Sequence, residues 1–227
     1  MLTFPFIQVA GVIDPDEASL IQACGVRYLG FPLRLPVHEE DLSEAAAAEL
    51  IRALRPGHAA VLITYLSRCD DVLAFAAKLG VRIVQLHGEI EAAELQRIKQ
   101  ADPRLAIIKS LVVGERDTPA LEEMIATLAP FVDAFITDTF DPATGASGAT
   151  GRTHDWDVSR RFVALSPRPV ILAGGLTPEN VREAIAYVRP AGVDVHTGVE
   201  DARGRKSEAK LRRFVTEVRA GIDLGTK

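Results

Sequence analysis

The sequence predicts a single (β/α)8 barrel. Eight short apolar runs alternate with eight longer amphipathic runs. Several of the short runs are apolar at successive positions, as strands buried on both faces of a parallel sheet are. No linker, low-complexity tract or composition break divides the 227 residues, and barrels of this kind typically need about 250. A doubly wound open sheet shares the alternation. It usually carries a glycine-rich fingerprint after its first strand, where only Gly11 stands.

The expected strands are Phe6–Ala10, Tyr28–Phe31, Ala60–Thr64, Ile83–Leu86, Ala106–Lys109, Ala134–Thr137, Pro169–Ala173 and Gly192–Val195. The first helix, Asp14–Cys24, opens on an Asp cap followed by Pro15 and stops at Gly25. The second, Leu42–Leu54, has Ser43 at its start and Pro56 beyond its end. Arg68–Leu79 stops at Gly80, and Ile90–Ala101 stops before Pro103. Thr118–Leu128 and Thr177–Val188 each open on a Thr cap followed by Pro, Trp156–Leu165 follows Asp155, and Ser207–Gly221 closes the series. The barrel is expected over residues 1–222, with 223–227 a fraying tail.

Composition narrows the partners. The chain is 48% hydrophobic with a formal net charge of -5, which disfavours a phosphate backbone, so no nucleic acid is expected. No apolar run is long enough for a membrane span, and the N-terminus lacks a signal-peptide pattern, so no membrane partner is expected. Cys24 and Cys69 form no CxxC pair and read as small buried hydrophobes in a reducing, cytoplasmic compartment. No His-Asp-Glu set has metal-ligand spacing, and no cofactor is implied.

A barrel carries its chemistry at the carboxyl ends of its strands and in the loops that follow. The seventh strand runs into Gly174-Gly175 and a helix start, and the eighth into Thr197-Gly198. Glycine-exposed amides beside a helix N-terminus bind phosphate, and barrels often place phosphate after strands seven and eight. Gly174, Gly175, Thr197 and Gly198 are therefore the expected phosphate site, for a small phosphorylated substrate. Asp138 ends the sixth strand, where an acid or base is needed, and 141–155 is long and glycine-rich enough for a lid. Lys109, after the fifth strand, is either a Schiff-base lysine or a solvated or phosphate-paired one.

Four segments in this order resemble phosphoribosylanthranilate isomerase, the barrel enzyme of tryptophan biosynthesis. They are Val84-Gln85-Leu86-His87-Gly88; Asp138-Thr139 with Gly145-Ala146-Ser147-Gly148 and Asp155-Trp156; Leu172 to Val181; and Gly192 to Glu200. The resemblance implies an Amadori rearrangement of a phosphoribosyl aminoaldose to a ketose, with Asp138 as the acid. It also implies a base from a Lys-x-Cys-Gly motif on the first strand, which here reads Gln8-Val9-Ala10-Gly11. Ala10 accepts no proton and Gln8 carries no charge. The loop after the second strand lacks the family's Ser-Lys-Arg run, leaving Arg34 as the candidate for the substrate carboxylate.

Candidate substitute bases are His196, His154 and His87, with Glu89 a further titratable group nearby. Gln8, Arg34, Gln85 and His87 are the expected substrate contacts. Two alternatives to a plain isomerase stay open: a divergent enzyme for another phosphorylated sugar, and a phosphosugar-binding protein without catalysis. The oligomeric state is not legible.

Overall fold

The computed structural model describes residues 2–36, 40, 42–114, 116–141, 146–147 and 155–225. Eight parallel strands form the barrel: β1 (Phe6–Ala10), β2 (Tyr28–Pro32), β3 (Ala59–Thr64), β4 (Ile83–Leu86), β5 (Ala106–Val113), β6 (Ala134–Asp141), β7 (Val170–Leu172) and β8 (Gly192–Val195). Each pairs with the next, β1 pairs with β8, and β5–β6 closes the ring. A two-residue strand, Ala146–Ser147, runs antiparallel to the end of β6.

The surrounding helices are α1 (Pro15–Ala23), α2 (Glu44–Arg52), α3 (Cys69–Leu79), α4 (Ala92–Ala101), α5 (Thr118–Leu128), α6 (Trp156–Leu165), α7 (Val181–Val188) and α8 (Glu208–Gly225). Their starts follow local chemistry. Asp14 accepts the Glu17 N–H at 2.8 Å, Ser43 that of Ala46 at 3.2 Å, and Asp155 that of Asp157 at 2.9 Å.

The structure departs from the sequence reading in four places. Asp117, not Thr118, caps α5, because its carboxylate reaches the Ala120 N–H at 2.9 Å. Helix α7 starts at Val181 rather than Thr177, because the Asn180 side chain takes the Thr177 N–H and folds 177–180 into a turn. Strands β5 and β6 each run four residues past their expected ends, since β5 and β6 pair as far as Val113 and Thr139. Helix α8 continues to Gly225, past its expected end at Gly221.

Side chains alternate along each strand, so one set fills the barrel and the other packs under the helices. Phe6, Ala10, Ala134, Ile136, Ile171 and Ala173 belong to the inner cluster. Ile7, Val9, Ile107, Leu111, Phe135 and Leu172 belong to the outer one. Phe6 stacks on Tyr28 with ring centroids 4.0 Å apart, plugging the lower barrel. Cys24 and Cys69 are buried and unbridged, and burial pushes both thiols up. Among the described residues no helix is long and apolar enough to cross a membrane.

Closure demands a bare backbone at Gly192, where an added Cβ would lie 2.2 Å from the Phe6 carbonyl oxygen. Gly192→Ala is therefore expected to cost about 1–3 kcal/mol through forced separation of β1 and β8. Urea unfolding measures it, and an unchanged midpoint would contradict this account of the seam.

Candidate active site at the carboxyl ends of the strands

Two glycine turns meet at one edge of the mouth. Gly174 and Gly175 leave β7 with φ of 94° and 61°, values a non-glycine residue rarely adopts. After β8, Thr197–Val199 form one turn of 3-10 helix. An added Cβ on Gly198 would stand 1.9 Å from the Leu176 carbonyl oxygen, so the second turn packs directly on the first. All four expected phosphate residues are half-buried and reachable from the mouth. The amides that begin the 3-10 turn have no partner within it, which suits an anion.

Asp138 belongs to the inward set of β6, two residues beyond Ile136. Its Oδ1 accepts its neighbour Thr139's N–H at 2.8 Å, and its Oδ2 lies 3.7 Å from His87 Nδ1. Only 7% of the residue is exposed. Burial pushes its carboxyl up to about 7, against the pull of the Thr139 amide. A carboxyl poised there is about half protonated near pH 7 and can give a proton away.

Behind it runs a buried polar chain. Gln8 on β1 donates through Nε2 to Gln85 Oε1 at 2.9 Å, so Gln85 presents its own Nε2 to His87 Nε2 at 2.6 Å. The amide donates, His87 Nε2 accepts, and the ring proton is left on Nδ1, facing Asp138. Burial, helped by the Lys109 charge, drives the His87 value down to about 3 and keeps the ring neutral. Gln8 and Gln85 are 0% and 1% exposed and support His87 from beneath.

His87 is likewise poorly placed to take a proton from a carbon, because Gln85 occupies one ring nitrogen and Asp138 faces the other. His196 follows β8, where Val195 pairs with Val9, so the next step of the register sets His196 beside Ala10. Its ring lies over Gly11: an added Cβ there would be 2.1 Å from Nε2. Glu200 Oε1 stands 3.4 Å from the same nitrogen, and Lys206 Nζ holds that carboxylate at 2.5 Å.

Other expected residues fall elsewhere. Arg34 turns towards the helices: its Nε bonds Glu44 at 2.8 Å and its guanidinium lies 3.8 Å from the Phe75 ring centroid. Lys109 sits in mid-strand because β5 is long; it shares the outward face of Ile107 and Leu111, and its Nζ bonds the Ser110 carbonyl oxygen at 2.9 Å. Glu89 pairs with Arg116. His154 and most of the proposed lid lie outside the described residues. Among the described residues no group of three or more His, Cys, Asp or Glu is arranged to hold a metal ion.

The sequence reading missed Asp194. It faces inward on β8, opposite Gln8, and is 9% exposed. Burial and the Asp138 charge push its carboxyl up to about 7, while the Gln8 amide and Lys206 pull the other way. An acidic residue inside an otherwise apolar strand run, Gly192 to Val195, was the available signal.

A model of the N-(5'phosphoribosyl)anthranilate (PRA) isomerase family matches residues 9–217. The N-(5'-phosphoribosyl)anthranilate isomerase 2 of Methanosarcina mazei is 36% identical, with 92% of each chain covered. The N-(5'-phosphoribosyl)anthranilate isomerase of Haloferax volcanii is 37% identical, over 92% of this chain and 90% of that one. A crystal structure of phosphoribosyl anthranilate isomerase in complex with reduced 1-(o-carboxyphenylamino)-1-deoxyribulose 5-phosphate superposes with a TM-score of 0.76. It is 26% identical and covers 94% of this chain and 97% of its own.

The raised Asp138 carboxyl has a thermodynamic consequence. The folded group keeps its proton to about pH 7, while an unfolded aspartic acid loses it near 3.9. The wild type therefore loses stability as pH rises between those values, and Asp138→Asn does not. Relative to wild type, the variant is expected to gain roughly 2.5 kcal/mol of stability between pH 5 and 8. Urea unfolding at the two pH values checks this; a gain of zero would mean the carboxylate is not desolvated.

Proposed function

Because the chain belongs to the N-(5'phosphoribosyl)anthranilate isomerase family, we propose that the site just described carries out the family's isomerisation with its own altered set of residues. The activity is the aldose-to-ketose isomerisation of phosphoribosylanthranilate in tryptophan biosynthesis. The substrate is a phosphorylated sugar. The reading places the protein in the cytoplasm, as a single barrel.

The observation that carries the assignment of roles is the buried, proton-holding Asp138 at the mouth. The substrate phosphate binds the amides of Gly174, Gly175, Thr197 and Gly198, which sets the ribose over the centre of the barrel. Asp138 gives its proton to the ring oxygen. The C1–O bond breaks as the anthranilate nitrogen lone pair forms C1=N. His87 Nδ1–H then faces the new Asp138 carboxylate and steadies it.

The next step removes the C2 proton. Ala10 offers nothing, and His196 is the imidazole that the register sets next to it. It takes the proton; the C2–H electron pair becomes C1=C2 and the iminium pair returns to nitrogen. The enol amine gains a proton at C1 and loses one from the C2 hydroxyl, giving the ketose. Glu200 orients the imidazole and stabilises its charged form, much as a carboxylate supports a catalytic histidine elsewhere. Arg34 contributes to substrate binding only if its guanidinium leaves Glu44.

Turnover is followed by the fluorescence of phosphoribosylanthranilate. Wild type is expected to isomerise it, and Asp138→Asn to lose about 10²–10⁴-fold in kcat. Absence of turnover in both wild type and Ala10→Cys, despite phosphosugar binding, would favour a binding protein instead.

His196→Ala is expected to lower kcat by a similar factor, and Ala10→Cys in that background to restore much of it by returning a base to β1. A His196→Ala variant with unchanged kcat would remove His196 from the mechanism.

A further inference from the structure

The Asp194 carboxyl lies outside the mechanism above, yet it occupies the same inner layer as Asp138. Ile136 pairs with Ile171, so Asp138 on β6 stands level with Ala173. Leu172 pairs with Val193, so Ala173 stands level with Asp194 on β8. The two aspartates therefore flank a single small side chain, the Ala173 methyl, which is 3% exposed. On its other side Asp194 pairs with Gln8, the residue that begins the chain through Gln85 and His87 to Asp138. The two carboxyls thus stand at the two ends of one buried polar arc. Asp194 Oδ1 is buried with no hydrogen-bond partner among the described residues.

We propose that Asp194 is a positioning residue for the isomerisation, whose buried carboxyl keeps the proton on Asp138 so that Asp138 enters each turnover as an acid. The inference rests on the role given to Asp138 in the proposed function. Two carboxyls in one dry space resist double ionisation, so each raises the other's hold on a proton, and they titrate as a pair. The Asp194 value is raised by burial and then by Asp138, and the Asp138 value by burial.

The other charges that bear on the pair are placed so that they do not cancel it. His87 on β4 is neutral, and Lys109 on β5 lies on the outward set, acting on His87. Lys206, ahead of α8, is the cation that acts on Asp194, but its Nζ is tied to Glu200 at 2.5 Å. Its backbone N–H is tied to Glu17 of α1. His196, two residues past Asp194 and just beyond β8, is paired with the same Glu200. Gln8, directly opposite, contributes an amide where a lysine would have neutralised Asp194.

The test is the pH profile of kcat, read with the infrared carboxylic C=O band of Asp138, isolated as the difference from Asp138→Asn. In wild type the alkaline limb and the loss of the band are expected near pH 7. In Asp194→Asn both should move at least one pH unit acidward, about a tenfold loss of the protonated acid at a pH above both midpoints. Asp194→Glu should return them towards wild type. Gln8→Lys, which sets a cation against Asp194, should also move them acidward and serves if Asp194→Asn does not fold. A lower kcat with both midpoints unmoved in Asp194→Asn, or unmoved midpoints in Gln8→Lys, would overturn the proposal. If no variant turns over substrate, the isomerase roles fail, while the band still decides whether Asp194 governs the Asp138 proton.

Discussion

Eight parallel strands closed into a ring leave alternate side chains nowhere to go but inward, and at the mouth of this barrel the inward positions carry carboxyl groups. Water that would hold an aspartate ionised is excluded there. Asp138 is stabilised in its charged form by one backbone amide and faced by one neutral imidazole, which is too little to offset burial. The result is an acid that keeps its proton near neutral pH. Removing the desolvation would leave an ordinary surface aspartate with no proton to offer a ring oxygen.

The same closure organises the rest of the site. Strand register decides that His196 stands by Ala10 and that Asp194 stands by Gln8. Backbone proximity decides that the turn at Gly198 seats on Leu176, so the two glycine turns form one surface. In the proposed reaction, binding the phosphate at that edge and protonating the ring from β6 are separate tasks on separate strands, joined by the rigidity of the sheet between them. Ala10 puts no proton acceptor on β1 at this level, and the frame around it is intact.

Much of this was legible in the residues. Successive apolar positions and capped helices carry the barrel, and glycines after two adjacent strands mark the two turns that meet at its mouth. What the residues did not carry depends on pairing between distant segments. The full lengths of β5 and β6 come from their mutual ladder, so Lys109 looked like a rim residue and is instead covered in mid-strand. Arg34 looked available because Glu44 and Phe75 are far from it in sequence. Asp194 looked like one polar residue in a strand until the barrel set it level with Asp138. The start of α7 depended on a side-chain bond from Asn180 that competes with helix at Thr177.

The central claim is that Asp138 carries its proton inside the folded barrel while His87 stays neutral. Neutron diffraction from crystals held at pH 6.5 locates both hydrogens directly. The account predicts a deuteron on the Asp138 carboxyl and one on His87 Nδ1, with His87 Nε2 bare towards Gln85. A bare Asp138 carboxylate beside a doubly protonated His87 would contradict it.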